Sequence, residues 1–445
     1  MSLQDQVLDS MRGIIDPDLG KDIVSLGFIK KLEISKVGEV SFVVELTTPA
    51  CPVKEHFRTS CEAAVQALPW VKSVSVEMSA QKRANSALQG QSAGLANVRN
   101  IIAVASCKGG VGKSTVATNL ACALGGTGAS VGIFDADIYG PSLSVMIDTP
   151  FQGLVQRADR MIEPVEHHGL KLMSFAYANP GNEKAAILRG PMVTQIINQL
   201  LTGTDWGELD YLVLDLPPGT GDIQLTLCQL VPLTAAVIVT TPQNISFIDV
   251  AKGIRMFDTL KVPTVAVVEN MSYYICDECD KKHYIFGRGA MRKLVEQFGF
   301  TNTVSLPMHP AVAACGDHGL PLVWAEPDTE TAQSFRDLAG TVAREISRRT
   351  YGGISAPAVT FEDGVIVIQR EDAERVELAP RKVRLACACA VCINEMTGEK
   401  VLRDEDVPED VQPQSIEPMG NYAVAVQWSD EHSSIYPYDR LDESK

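Results

Sequence analysis

Apolar and polar positions along this chain fall into three successive patterns. Residues 1–80 open on Val7, Leu8, Met11, Ile14 and Ile15, spaced as on one face of a helix. Runs at Phe28–Ile34, Val40–Leu46 and Val71–Met78 predict strands, and the stretch near Val53–Leu68 predicts a helix, so this block reads as a small α+β unit. Within it, Thr47-Thr48-Pro49-Ala50-Cys51-Pro52 reads as a turn from strand to helix. Residues 81–97, rich in Gln, Ser, Ala and Gly, read as a linker. From 98 to 349 the pattern changes to short, nearly unbroken apolar runs: Ile101–Ala105, Val131–Phe134, Tyr211–Leu214, Ala235–Val239, Thr264–Val268 and Thr303–Leu306. Strands buried on both faces look like this, and the helical segments between them predict a parallel sheet with right-handed crossovers. Residues 350–445 are acidic, with strands expected at Val365–Ile368, Val383–Ala386 and Tyr422–Trp428 and turns at Glu362-Asp363-Gly364 and Met419-Gly420-Asn421. The expected class is α/β, a parallel-sheet core flanked by a small N-terminal α+β domain and a small strand-rich C-terminal domain.

The central block carries a phosphate loop. Ser106-Cys107-Lys108-Gly109-Gly110-Val111-Gly112-Lys113-Ser114-Thr115 follows a buried strand and opens a helix at Val116–Leu124, the context that such a loop requires. Gly109, Gly110 and Gly112 let backbone N–H groups turn inward around phosphate oxygens. Lys113 supplies a charge for the β- and γ-phosphates, Ser114 offers its hydroxyl to Mg²⁺, and the helix N-terminus adds its dipole. Cys107 stands where the ordinary motif has Gly, and a second lysine, Lys108, marks a variant of the loop. Asp135-Ala136-Asp137 and Asp215 end buried strands, where α/β sheets place ligand-binding groups. Asp215, followed by Leu216-Pro217-Pro218-Gly219-Thr220-Gly221-Asp222, is placed to hold Mg²⁺ through water. Asp137 is expected to orient or activate the attacking water, with Asp135 in support; the plainer alternative has these strand-end carboxylates capping helices.

Composition narrows the field. The chain has 445 residues, long enough for two or three cores, and 45% hydrophobic content supplies them. A formal net charge of −16 argues against nucleic acid as the main partner, since phosphate binding needs clustered Lys and Arg. No run approaches the roughly 20 apolar residues that span a bilayer, so no membrane insertion is expected. The first residues do not read as a signal or transit peptide.

The 11 cysteines are unevenly spread, and Cys122 and Cys228, in apolar helical runs, read as packed core thiols. Cys276-Asp277-Glu278-Cys279 lies in a polar loop. Two thiolates at this spacing complete neither a zinc nor a 4Fe–4S site alone. A cluster shared across a homodimer, zinc with His283, and no ligand all stay open. Cys387-Ala388-Cys389-Ala390-Val391-Cys392 offers three soft ligands, which fits a cluster with one open iron, a zinc site completed elsewhere, or a coincidence of small residues. Cys51 sits just ahead of a helix, whose dipole favours the thiolate; cluster hand-over and a packed thiol are the two readings.

At Lys108-Gly109-Gly110-Val111-Gly112-Lys113-Ser114 the chain resembles the deviant-Walker-A ATPases, which include ParA, MinD and the nitrogenase iron protein. Asp135-Ala136-Asp137-Ile138-Tyr139-Gly140-Pro141-Ser142, the run from Asp215 to Asp222, and Val268-Glu269-Asn270-Met271-Ser272 resemble its Mrp/ApbC branch, whose members carry and deliver iron–sulfur clusters. The first block, with Asp16-Pro17-Asp18 and Thr47–Pro52, is similar to the iron–sulfur assembly domain often fused ahead of that ATPase. The tail, with Glu417-Pro418-Met419-Gly420-Asn421-Tyr422-Ala423-Val424, resembles a third domain sometimes fused behind it, an order found in the chloroplast members of the branch.

The resemblance implies a slowly hydrolysing ATPase with Mg²⁺, in which Lys108 reaches across a homodimer to the partner's nucleotide and Asn270 recognises adenine. Cys276 and Cys279 match the branch's cluster-binding pair. It further implies a scaffold that passes a 4Fe–4S cluster to apo iron–sulfur proteins, photosystem I and related acceptors among them. The compartment implied is the chloroplast stroma, after removal of a targeting segment, with the cytoplasm as the alternative. The rivals are a ParA/MinD-like positioning ATPase, a zinc-binding ATP-dependent adaptor and an electron donor.

Overall fold

The computed structural model describes residues 2–17, 19–50, 53–80, 93–150, 153–178, 190–219, 221–276, 279, 281–287, 291, 300, 302–351, 357–369, 375–387, 389, 392–393, 400–419, 423–438 and 441. The N-terminal block contains α1 (Leu3–Met11), β1 (Ile29–Ile34), β2 (Glu39–Leu46), α2 (Lys54–Gln66) and β3 (Ser73–Ala80). Ser2 starts α1 with a capping box, accepting from the Asp5 amide while the Asp5 side chain accepts from its own. Strict alternation along β2 puts Val40, Phe42, Val44 and Leu46 on one face, against Val7 and Met11 of α1 and Phe57, Cys61 and Val65 of α2. The order is β1-β2-β3, with α2 as the crossover between the parallel β2 and β3.

The turn leaving β2 does not stay in this block's own core. Ala50 is buried among apolar residues of the central block, and the Thr48 hydroxyl meets that of Tyr211 in the central sheet. The turn therefore plugs the floor of the neighbouring core.

The central block runs β4 (Val98–Ala105), α3 (Lys113–Gly126), β5 (Val131–Asp135), α4 (Leu143–Met146), β6 (Val165–His167), β7 (Leu170–Ser174), α5 (Phe175–Ala178), α6 (Gly190–Gly203), β8 (Leu209–Asp215), α7 (Asp222–Leu230), β9 (Ala235–Thr240), α8 (Asn244–Thr259) and β10 (Thr264–Glu269). A small hairpin, β11 (Tyr274–Ile275) and β12 (Lys282–His283), precedes β13 (Thr303–Ser305), α9 (Pro310–Asp317), α10 (Leu322–Ala325) and α11 (Glu330–Tyr351). The eight-stranded sheet has the order β13-β10-β9-β4-β8-β5-β7-β6. The central strands β5, β8, β9 and β10 are buried along their whole length, as their unbroken apolar runs require. Pairing is parallel except at the β6 edge. There a tight turn through His168 and Gly169, both at positive φ, returns the chain directly, and so short a connection permits only antiparallel pairing. Strand β4 lies between β9 and β8, so successive crossovers leave it toward opposite sides, and at such a point α/β sheets place a crevice at the strand ends.

The C-terminal block forms two antiparallel three-stranded sheets. One is β14 (Ala358–Glu362), β15 (Val365–Gln369) and β16 (Val376–Leu378); the other is β17 (Pro413–Met419), β18 (Ala423–Trp428) and β19 (Ser433–Pro437). Val383–Ala386, expected as a strand, lies instead at a helix, α12 (Pro380–Leu385). Pro380 in the first turn pre-sets helical φ, and a four-residue run, Val-Arg-Leu-Ala, is too short to distinguish the two periods. Met419 and Ala423 join the apolar cluster of α8, beside Ile254 and Phe257, and so seat this sheet on the central block. Among the described residues no helix is long and apolar enough to cross a membrane.

Candidate functional site

The phosphate loop leaves β4 and closes on α3. Gly110 and Gly112 hold φ of 77° and 80°, the left-handed region that favours glycine. A Cβ on Gly112 would stand 2.2 Å from Nδ2 of Asn270. That amide donates to the Val111 carbonyl at 2.9 Å, so the residue after β10 braces the loop from behind. Ser106 Oγ donates to the Lys108 carbonyl at 2.8 Å, and the Gly219 amide to the Ser106 carbonyl at 2.9 Å, which ties the Pro-Pro-Gly turn to the loop.

Lys113, Ser114, Asp135 and Asp215 converge at the strand ends. Lys113 is buried and ion-paired with Asp215, and its Nζ lies 3.4 Å from Ser114 Oγ. Strands β5 and β8 put Asp135 directly beside Asp215 in register. Asp135 accepts from the amides of Asp137 (3.0 Å), Ser142 (2.9 Å) and Leu143 (3.1 Å) and from the Ser174 hydroxyl (3.3 Å). Burial, and secondly the Asp215 charge, push its carboxyl up to about 7. Burial also drives Asp215 upward, against the pull of the Lys113 ammonium. Two buried carboxylates thus stand side by side, with the Lys113 ammonium paired to Asp215, an arrangement that suits a divalent cation. Asp137 is half-buried at the crevice, its Oδ1 taking the Gly140 amide at 3.2 Å. Thr115 sits in the first turn of α3, where its carbonyl accepts from Asn119 at 2.9 Å.

Lys108 points away from this cradle. Its Nζ pairs with Asp249 of α8 at 2.8 Å, while the neighbouring Cys107 thiol donates to the Asp249 carbonyl at 2.8 Å. Gly253 permits this approach, since a Cβ there would meet Cys107 Sγ at 3.0 Å.

The chain that leaves Asn270 runs directly into the cysteine pair. Cys276 is half-buried at the mouth of the β11–β12 hairpin, its amide donating to Lys281 at 3.1 Å, and Cys279 is exposed at the tip. Lys282 fixes the hairpin, with Nζ 4.3 Å over the Tyr273 ring and 3.6 Å from Glu330 of α11. Among the described residues Cys276, Cys279 and His283 do not gather into a three-ligand group.

The other cysteines do gather. Cys387, Cys389 and Cys392, beyond α12, meet His432 from the β18–β19 turn, with all four donor atoms within 4.8 Å of one another. His432 Nε2 lies 3.4, 3.4 and 3.7 Å from the three sulfurs. A tetrahedral zinc, with bonds of about 2.0–2.3 Å, sets its ligand atoms about 3.3–3.8 Å apart, so one ion fits this spacing. A four-iron cluster binds its thiolates through separate corners and needs them spread wider. Burial pushes the Cys387 thiol up to about 12 and raises Cys392 as well, so thiolates here need a cation to hold them.

Comparison with known proteins bears on this arrangement. Residues 97–343 match the family model described as NUBPL iron-transfer P-loop NTPase. The chain belongs to that family. Residues 4–78 match an iron–sulfur cluster assembly protein model, and residues 359–442 a γ-butyrobetaine hydroxylase-like N-terminal model. The Fe–S cluster assembly factor HCF101, chloroplastic, of Oryza sativa subsp. japonica is 52% identical over 98% of this chain and 82% of its own length. The iron–sulfur cluster carrier protein of Deinococcus radiodurans is 43% identical over 78% of this chain and 97% of its own. A solved nucleotide-binding protein from Archaeoglobus fulgidus, in complex with ADP, is 32% identical over 57% of this chain and 98% of its own, with a TM-score of 0.48.

For this iron-transfer NTPase the sequence pointed to the loop residues and both carboxylate-bearing strand ends, and the fold brings them together. It missed His432, which lies 40 positions beyond Cys392. The available signal was weak, a lone histidine in an acidic turn. It also missed Asp249, the partner of Lys108. Cys51 lies outside the described residues; its neighbour Ala50 is buried against the central block.

Proposed function

We propose that this chain is an ATP-hydrolysing homodimer that holds a 4Fe–4S cluster between the Cys276 and Cys279 pairs of two subunits and passes it to apo iron–sulfur proteins. One observation carries the reading. The segment that leaves β10 braces the phosphate loop through Asn270 and, six residues on, reaches the half-buried Cys276, with the exposed Cys279 three positions further. A change in the loop on nucleotide binding therefore has a covalent route to the cluster ligands. Bound ATP and Mg²⁺ supply the phosphoryl group and the cation that screens its charge. Lys113 holds the phosphates, Ser114 and Asp215 hold the cation, and Asp137 orients the attacking water with Asp135 fixing its loop. In the paired state Lys108 leaves Asp249 for the partner's nucleotide.

Cys387, Cys389, Cys392 and His432 hold one zinc ion that staples the C-terminal block and is not cargo. The chloroplast-resident relatives support the stroma as the compartment.

Anaerobic reconstitution of the full chain, with iron and sulfide analysis and visible absorption, tests the carrier reading. About four irons per dimer are expected, lost when Cys276 and Cys279 are both replaced by Ser and kept when Cys387 is. Retention of the cluster in the Cys276/Cys279 double variant would sink it.

A further inference from the structure

The pocket around His432 contains one buried charge that is not a ligand. Arg384, on α12, is 4% exposed. Its Nε donates to Asp430 Oδ2 at 2.8 Å, and its Nη1 lies 3.6 Å from Cys392 Sγ. Asp430 is itself fixed, since Oδ1 accepts the His432 amide at 3.2 Å. On the opposite side, Ser434 Oγ donates to Cys387 Sγ at 3.2 Å while accepting from Trp428 Nε1 at 3.1 Å.

Burying a guanidinium is costly, and the carboxylate of Asp430 engages only its Nε edge. An apolar side chain of similar length would pack in this core more cheaply. The charge makes sense against a loaded site, because three thiolates, a neutral imidazole and a divalent ion together carry one negative charge. We propose that Arg384 is a positioning residue for the C-terminal metal. Aimed by Asp430, it donates an N–H···S hydrogen bond to the metal-bound Cys392 thiolate and turns its positive edge toward the negative ligand set. The inference rests on the one-ion, four-ligand reading given above. A thiolate that accepts such a bond is less basic and less readily protonated off the metal, so the ion is retained rather than handed on.

The test uses the full chain loaded with Zn²⁺ or, as a spectroscopic probe, Co²⁺. Replacing Arg384 by Met should speed zinc release to a chromogenic chelator about 10- to 100-fold, the usual cost of losing an outer partner of a ligand. It should also move the sulfur-to-cobalt charge-transfer band to longer wavelength, because an undonated thiolate gives up an electron more easily. Arg384→Lys, which keeps the charge, should stay closer to the unaltered protein in both readouts. If Arg384→Met leaves the block unfolded, Arg384→Leu carries the same expectation, having neither charge nor donor. An unmoved band with unchanged release overturns the proposal, as does an equal loss in the Lys and Met variants, which would make shape the cause. Failure of the site reading looks different: the unaltered chain would take up no cobalt, or His432→Ala would take it up just as tightly.

Discussion

Replacing Asn270 by Ala separates two roles for that side chain. The family resemblance gives it the adenine ring, yet in this structure its Nδ2 is occupied by the Val111 carbonyl, 2.9 Å away. Loss of one hydrogen bond to a partly buried carbonyl costs about 1 kcal/mol. If that cost falls on the ordered form of the loop, affinity drops about fivefold for any nucleoside triphosphate. Gly112→Ala supplies the companion measurement. At φ +80° a Cβ costs about 1–2 kcal/mol by itself. Placed 2.2 Å from Nδ2, it also expels the Asn270 amide. The sum of roughly 2–3 kcal/mol predicts a loss of about 30- to 150-fold. Both changes break the same brace, so the double variant should lose little more than Gly112→Ala alone. Competition binding of ATP and GTP against a fluorescent ADP analogue reads all three variants. Equal losses for the two bases are expected. A tenfold loss for ATP with GTP untouched would show that Asn270 reads the base and would refute the bracing argument.

Other predictions follow from contacts away from the cradle. Asp249→Ala frees Lys108 from a half-exposed pair worth well under 1 kcal/mol after screening, so the ATP-bound dimer should tighten two- to threefold, read by sedimentation velocity; a weaker dimer would mean that Asp249 supports pairing. Tyr211→Phe removes the partner of the buried Thr48 hydroxyl across the two blocks and leaves it only the Ala50 amide at 3.2 Å, so about 1 kcal/mol should be lost in urea unfolding, with faster proteolysis between the N-terminal and central blocks; unchanged cleavage would place the turn elsewhere in solution. Removing metal from the Cys387–His432 site should expose Trp428, which shares its apolar cluster with Cys387 and Cys392, while ADP affinity stays unchanged; quenching of tryptophan fluorescence by iodide measures it, and no gain in quenching would show that the core closes without the ion.

How much could be read in advance depended on the range of the interaction. Unbroken apolar runs predict doubly buried strands because each residue meets its environment locally, and β5, β8, β9 and β10 bear this out. The loop from Ser106 to Thr115 was legible because wrapping phosphate needs glycine at particular φ and a lysine within one turn of a helix. These are steric demands contained in ten residues. Val383–Ala386 misled for the opposite reason: four residues are too few to carry a period, and the helix there answers to Pro380 and to the burial of Arg384 and Val383.

Hydrophobic order and the steric signature of the phosphate loop were determined by the chain's own residues. Tertiary structure alone decided which distant groups complete a site. It brought His432 to three cysteines 40 to 45 positions away, Asp249 to Lys108, and Asn270 to the back of the loop. The physical reason is that ligand and ion-pair geometry is fixed by packing of the elements that carry the groups, and such groups leave no periodic trace in sequence.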